Sequence, residues 1–210
     1  NAAFNELDRH VLMGRGNGLA FVGVASADGG DEVLSKVHEL LVAMWADGAA
    51  PQSFKGPEII NVQKKGDLSI CDNWRGISLL SVCSKVLSIV CADRLHVHVV
   101  PKVVQDTQYG FRPKRSCSHA IQVIRSLMKW IDECEDEQIA LVFYDLRKFY
   151  DSIPRDAMYS VLRRFGVPET MIRVISSMHD GAIAKVRIGA SHTEGFAVTG
   201  GLRQGCCLAP

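Results

Sequence analysis

One segment limits the folds open to this chain more than any other. Residues 138–146 read QIALVFYDL, an apolar run that ends in the carboxylate of Asp145. A run of this length predicts a central antiparallel strand, buried on both faces, with Asp145 at its C-terminal end facing an open cleft. A carboxylate there is costly to desolvate unless it has a partner or a ligand. Mg²⁺ is one such ligand, since it takes hard oxygens and keeps several waters. The backbone carbonyl of Leu146 is a second oxygen at the same place. Phosphoryl transfer to a nucleotide uses two such ions, roughly 3.5–4 Å apart, so a further carboxylate is required nearby. Asp151 lies six residues on, past a bend, and leaves two readings open. It joins the site, or it caps the helix near Pro154 or pairs with Arg147 or Lys148. A phosphatase with an Asp nucleophile also starts from an apolar strand ending in Asp. It expects a second Asp two residues on, where this chain has Arg147.

The flanking pattern is mixed. Val33, Val37, Leu40, Leu41 and Met44 recur at helical spacing and predict a helix over 31–45, favoured by Asp31 and Glu32 at its start and stopped by Gly48. Residues 58–63 read as a strand, followed by the charged turn Lys64-Lys65-Gly66-Asp67. Residues 77–80 are a second short strand or the approach to a helix. Helices are predicted over 81–97 and 118–134, the latter with Ile121, Ile124, Leu127, Met128 and Ile131 as its apolar face. Pro101 is expected to open a loop between them. Helices over 154–165 and 169–178 follow the apolar run. Residues 185–188 alternate like a half-exposed strand that pairs with 196–199. Residues 14–30 read as a glycine-rich loop with a short strand. The sum is an α+β chain.

Charge bounds the partners. With 24 Lys+Arg against 23 Asp+Glu the net charge is only +1, so no whole-chain positive field exists. The basic residues Arg112, Lys114, Arg115, Arg125 and Lys129 fall in a stretch without acids, and Asp132, Glu133, Glu135, Asp136 and Glu137 follow at once. That is a basic patch beside an acidic turn, or a solvated face and a loop. The seven cysteines include no C-x-x-C pair, which leaves out zinc spacing and suits reduced thiols in an intracellular protein. No signal peptide and no run of 18 apolar residues occurs, so no membrane partner is expected. The first residue is Asn1, as expected of a fragment or a processed piece.

Four segments carry a family resemblance. IINVQKKGDLSICDNWRGISLLS is similar to the fingers motif of non-LTR (LINE-type) reverse transcriptases, and QYGFRPKRSC to their Gln-x-Gly-Phe-Arg element. LVFYDLRKFYDSIPR resembles the first palm motif and GLRQGCCLAP the Gln-Gly motif, in matching order and spacing over about 31–210. The resemblance implies a right-hand polymerase fold with fingers and a partial palm. Residues 1–30 would be a degenerate or flexible lead-in, 31–137 the fingers and finger–palm helices, and 138–210 a truncated palm.

Roles follow position by position. Asp145 matches the first metal-binding aspartate, with the Leu146 carbonyl beside it. Tyr150 matches the aromatic residue beneath the incoming sugar. Lys64 or Lys65, with Arg75, matches the basic fingers residues that hold the triphosphate. A triphosphate needs cations from a mobile flap, and these residue types supply them. Gln204 and Gly205 match the segment beside the nascent base pair, and Arg112 lies in the element that approaches the template. The implied activity is RNA-directed DNA polymerisation with two Mg²⁺ ions. Its partners would be an RNA template, a DNA primer or nicked target DNA, deoxynucleoside triphosphates and the remainder of a retrotransposon polyprotein, working in the nucleus of a eukaryotic host. A group II intron reverse transcriptase is the alternative within the fold, and a decayed nucleic-acid-binding remnant the alternative outside it.

Two departures stand out. GLAFVGVASADGG replaces the family's Lys-Ala-Pro-Gly-x-Asp-Gly loop. The family's Asp-Asp hairpin lies downstream of the Gln-Gly motif, beyond Pro210. The expectation is therefore that these 210 residues alone do not polymerise, and that the central strand keeps an unpaired edge and an exposed apolar face.

Overall fold

The structure, a computed structural model, describes residues 30–134 and 138–209. Of the loop and short strand expected over 14–30, all but residue 30 lies outside the described residues, as do residues 135–137 of the acidic cluster.

Helical periodicity builds the core. α1 (Gly30–Asp47) buries Leu41, Met44 and Trp45, spaced three and four apart on one face. Gly48 ends it at φ +67°, a conformation that costs glycine nothing, and donates its N–H to the Met44 carbonyl at 2.9 Å. α2 (Val82–His98) opens on Ser81, whose Oγ accepts the Ser84 N–H at 3.3 Å. It buries Val86, Leu87, Val90 and Cys91. A short α3 (Val100–Val103), the long α4 (Cys117–Asp132), a one-turn α5 (Phe149–Ser152), α6 (Arg155–Arg164) and α7 (Glu169–His179) complete the helices described. α7 packs Met171, Ile172, Ile175 and Met178 against α1 and α2. Each such side chain contributes roughly 1.5–3 kcal/mol on transfer from water, so this helical layer anchors everything mounted on it.

The sheet stands beside that layer. β1 (Glu58–Gln63) and β2 (Trp74–Leu79) form an antiparallel hairpin, with Glu58 opposite Leu79 and Gln63 opposite Trp74. β1 also runs parallel to β3 (Ile183–Ile188), pairing Glu58 with Lys185. β3 turns back through Gly189, at φ +62°, into β4 (Ser191–His192) and then β5 (Phe196–Ala197), both antiparallel to it. Mixed sheet and helices together give the α+β class.

Three expectations are corrected. The central strand over 138–146 does not form: the segment has no regular secondary structure and its side chains are exposed, Phe143 by 80% and Tyr144 by 90%. An apolar run becomes a buried strand only when neighbouring strands take its N–H and C=O groups, and no described strand lies against it. The unpaired strand edge anticipated there is therefore absent, although the apolar side chains of the run are exposed. Pro101 lies inside α3 instead of opening a loop, because a proline in the first helical turn forfeits no hydrogen bond. β2 begins at Trp74, earlier than the strand expected from residue 77. α4 forms as the periodicity predicts, yet none of its residues is buried.

Candidate active site

A cavity of about 550 Å³ opens between the β1–β2 hairpin and the turn after the apolar run. Lys64, Asp72, Arg75, Asp145, Tyr150 and Gln204 are among its lining residues.

The hairpin supplies the cations. Lys64 follows the last residue of β1, and its backbone N–H donates to Asn73 at 2.8 Å, which closes the hairpin end. Gly66, at φ +119°, lets the chain turn there. The Lys64 ammonium donates to the Asp72 carbonyl at 3.0 Å, and Arg75 lies on β2 opposite Val62. Lys65 is at the hairpin tip and is not part of the cavity wall.

The opposite side of the cavity is a turn. Lys148 sits at φ +49°, unusual for a residue with a side chain, and α5 starts directly after it. Its ammonium and the Arg147 guanidinium each reach the Asp72 carboxylate at 2.8 Å. Hydrogen bonds from Lys148 and Arg147 hold the Asp72 carboxyl below the usual carboxylate range. Arg147 and Lys148 therefore pair with Asp72 and not with Asp151. Asp151 lies in the first turn of α5 and lines the cavity with Asp145.

Glycines let the segment 200–205 approach both sides. Leu202 donates its N–H to the Tyr150 carbonyl at 2.7 Å. Gly201 has φ +69°, and a Cβ there would fall 2.9 Å from that carbonyl oxygen and 2.8 Å from Asp151 Cα. On the far side, the Ser78 N–H of β2 donates to the Gln204 carbonyl at 2.8 Å. Gly205 has φ +108°, and its Cβ would fall 2.9 Å from the Ser78 carbonyl oxygen. The Gln-Gly segment is thus sewn to Tyr150 at one end and to β2 at the other.

Arg112 is placed elsewhere. It lines a second cavity, of about 630 Å³, with Leu95, Phe111 and Met158, and its guanidinium donates to the Gln105 carbonyl at 2.7 Å. Phe149, Leu202 and Arg203 line both cavities and form the wall between them. Arg203 is only 5% exposed, and burial pushes its guanidinium pKa down. Its single hydrogen bond, to the Phe54 carbonyl, is 3.4 Å long, and Nε has no partner among the described residues.

Asp145, Leu146 and Asp151 all line the cavity, and carboxylate and carbonyl oxygens are the donor type Mg²⁺ takes. The set is incomplete: among the described residues no three His, Cys, Asp or Glu side chains are grouped to hold an ion. The residues present fit part of one ion's shell and no more. Among the described residues no helix is long and apolar enough to cross a membrane.

Asp72, which lines the cavity, and Arg155, which lies outside its wall, are residues that sequence reasoning passed over. Asp72 meets Arg147 across 75 positions, a contact that spacing cannot signal. Arg155 closes the quoted palm motif without a role there, although its side chain donates to the Gly200 and Gly201 carbonyls.

Comparison with known proteins shows the family. The family model for "Reverse transcriptase (RNA-dependent DNA polymerase)" matches residues 62–210. The chain is 27% identical over 172 residues to the uncharacterized 149 kDa protein of transposon TX1 from Xenopus laevis, covering 82% of this chain and 13% of that protein. It is 24% identical over 168 residues to the retrovirus-related Pol polyprotein from type-1 retrotransposable element R2 of Popillia japonica, covering 78% and 22%. It is 28% identical over 165 residues to a 115 kDa protein in type-1 retrotransposable element R1DM of Drosophila melanogaster, covering 78% and 15%. The chain therefore spans less than a quarter of each of these relatives. With a family model matched over more than half its length, the chain belongs to the reverse transcriptase (RNA-dependent DNA polymerase) family.

Proposed function

We propose that this chain carries the nucleotide-binding side of a non-LTR retrotransposon reverse transcriptase, which copies RNA into DNA. The observation that supports this reading is the convergence of Asp145, Tyr150, Gln204, Lys64 and Arg75, from three separate motif segments, on one cavity. In this reading Lys64 and Arg75 take the triphosphate, and Tyr150 packs under the sugar and disfavours a 2′-hydroxyl by contact. Gln204 and Gly205 belong to the segment beside the nascent base pair and template. Lys65, at the hairpin tip, and Arg112, on the neighbouring cavity, approach the template or triphosphate only when the fingers move. Asp145 and the Leu146 carbonyl would hold part of a Mg²⁺ shell. Two such ions would offset the charge that builds on the transferring phosphoryl group.

The partners follow from that reading: an RNA template, a DNA primer or nicked target, deoxynucleoside triphosphates and the rest of a retrotransposon polyprotein, acting at chromosomal DNA in the nucleus. The test is primer extension on an RNA template by the full-length polymerase carrying this segment. Asp145→Ala is expected to reduce extension to background while the protein stays folded. Arg75→Ala is expected to raise KM for the nucleotide and slow the chemistry. Undiminished extension by Asp145→Ala would overturn the assignment.

A further inference from the structure

Arg155 opens α6 behind the cavity, and its guanidinium is committed to backbone oxygens. Nε donates to the Gly201 carbonyl at 2.9 Å, and Nη2 to Gly200 at 3.0 Å. Nη1 donates to Val198 at 3.1 Å and to His179 at 3.2 Å. Among the described residues it enters no ion pair with a carboxylate. One planar cation thus ties the end of α7, where His179 is the last residue, to the chain that leaves β5 and becomes the Gln-Gly segment. The site is suited to a cation twice over, because carbonyl oxygens at a helix C-terminus carry partial negative charge. It is suited to guanidinium in particular, because a rigid fork reaches several acceptors at fixed angles where an ammonium is a single point.

The consequence reaches the cavity through a short path. The residues that Arg155 holds, Gly200 and Gly201, run directly into Leu202, whose N–H bonds the Tyr150 carbonyl, and Gln204, whose carbonyl takes the Ser78 N–H. Arg155 lies outside the cavity wall. We infer that Arg155 is a positioning residue: it fixes the Gly200–Gln204 segment against Tyr150, and so sets the gap into which the incoming sugar and base must fit. It touches no substrate. Its effect falls on discrimination against ribonucleotides, because a steric contact separates substrates only as well as its two walls are held. The inference rests on the nucleotide-binding reading of the cavity.

The experiment uses the full-length polymerase carrying this segment and compares Arg155→Ala, Arg155→Lys, and Arg155→Ala with millimolar guanidinium added. Each is assayed with deoxy- and ribonucleoside triphosphates in single-nucleotide extension, on protein shown folded by circular dichroism. A displacement of about an ångström in a positioned substrate costs on the order of 10²-fold in rate. The deoxy-to-ribo ratio of kcat/KM is therefore expected to fall about tenfold or more in Arg155→Ala, within the roughly 10²-fold that a pocket gains against an added hydroxyl. Lysine is expected to restore little of it, and guanidinium to restore part. Folded Arg155→Ala and Arg155→Lys proteins that keep the parent ratio would overturn the inference, even if both are less stable. Asp145→Ala run alongside keeps the two readings apart. If it extends primers as the parent does, the cavity reading fails, whereas an inactive Asp145→Ala with an unchanged Arg155→Ala ratio defeats the positioning role alone.

Discussion

Lys148 and Asp72 face one another across the mouth of the cavity with 2.8 Å between ammonium and carboxylate, and Arg147 reaches the same carboxylate at the same distance. Asp72 belongs to the connection between β1 and β2, whereas both cations belong to the turn after the apolar run. The contact therefore joins the hairpin to that turn. All three side chains are substantially solvated, and exposed ion pairs of this kind add little to folding. What the pair does is neutralise two cations that line the same cavity as Lys64 and Arg75.

Asp72→Asn is expected to lower KM for the nucleotide, because the triphosphate no longer competes with a carboxylate for Arg147 and Lys148. The effect should shrink as salt is raised, since exposed charges are screened. Folding stability should be unchanged. The pH sense follows from the lowered Asp72 pKa: the pair is intact above the ordinary carboxylate range and is lost only as pH falls through that depressed value. Between pH 6 and 8 the Asp72→Asn effect should thus be flat. Nucleotide titrations of the two proteins at several salt concentrations check this, and an equal or higher KM in Asp72→Asn rules it out.

Gly201 and Gly181 share nearly the same backbone, at φ +69° and +65°, but differ in surroundings. A Cβ at Gly201 would strike the Tyr150 and Asp151 backbone within 2.9 Å, while nothing lies within 4 Å of one at Gly181. Gly181→Ala should cost about 1 kcal/mol from φ alone. Gly201→Ala should cost more, and it alone should impair nucleotide binding, because it forces the Gln-Gly segment off Tyr150. Urea unfolding of the two variants, with nucleotide binding measured beside it, reads the difference. Equal costs and equal binding would mean that the segment is not docked as described.

Local rules account for what the sequence made legible. Strand β1 has the bounds that its residues predict, because the turn Lys64-Lys65-Gly66-Asp67 fixes its end without outside help. Helices α1, α2 and α7 follow from period alone, since each buries one face on the others. The run 138–146 was illegible for the opposite reason. Its composition specifies burial, but a strand needs partners, and those are set by residues far along the chain. Asp145 stands out because a carboxylate at the end of an apolar run is uncommon, whereas Tyr150, Arg75 and Gln204 are singled out only through the family resemblance. Lys64 could not be separated from Lys65, since only the direction of the turn decides which faces the cavity. Arg155 left no trace, because its partners are all carbonyl oxygens, which every residue has.

His179 is the buried histidine at the end of α7, and burial pushes its pKa from 6.5 down to about 4. A folded-state pKa below the unfolded value means that the unfolded chain binds the extra proton first. Stability from keeping His179 neutral is present above pH 6.5 and is lost as pH falls from there to about 4. A shift of this size corresponds to about 3 kcal/mol. His179→Gln should flatten the pH dependence in that window by about one proton. Urea unfolding at intervals from pH 7.5 to 4 tests this, and an identical slope in the two proteins would show that His179 takes no part in the acid response.

Arg203 is a cation in the wrong solvent. It is 5% exposed, has one long hydrogen bond, and its Nε meets no acceptor among the described residues. Desolvating a guanidinium without a carboxylate costs several kcal/mol, and an apolar side chain of similar length avoids that cost. Arg203→Met is therefore expected to leave the melting temperature of this 210-residue chain equal or higher, by up to a few kcal/mol in stability. Methionine fills the space because its unbranched side chain adapts to irregular walls. Arg203 also divides the two cavities and precedes Gln204, so polymerisation by the full-length protein should fall in the same variant even as folding improves. That opposition is the informative outcome: a group that destabilises the fold yet supports activity is held there for an anion that binds later. A clear drop in melting temperature would instead mean that Arg203 already has a counter-ion within the chain, and would remove the reason for assigning it one from outside.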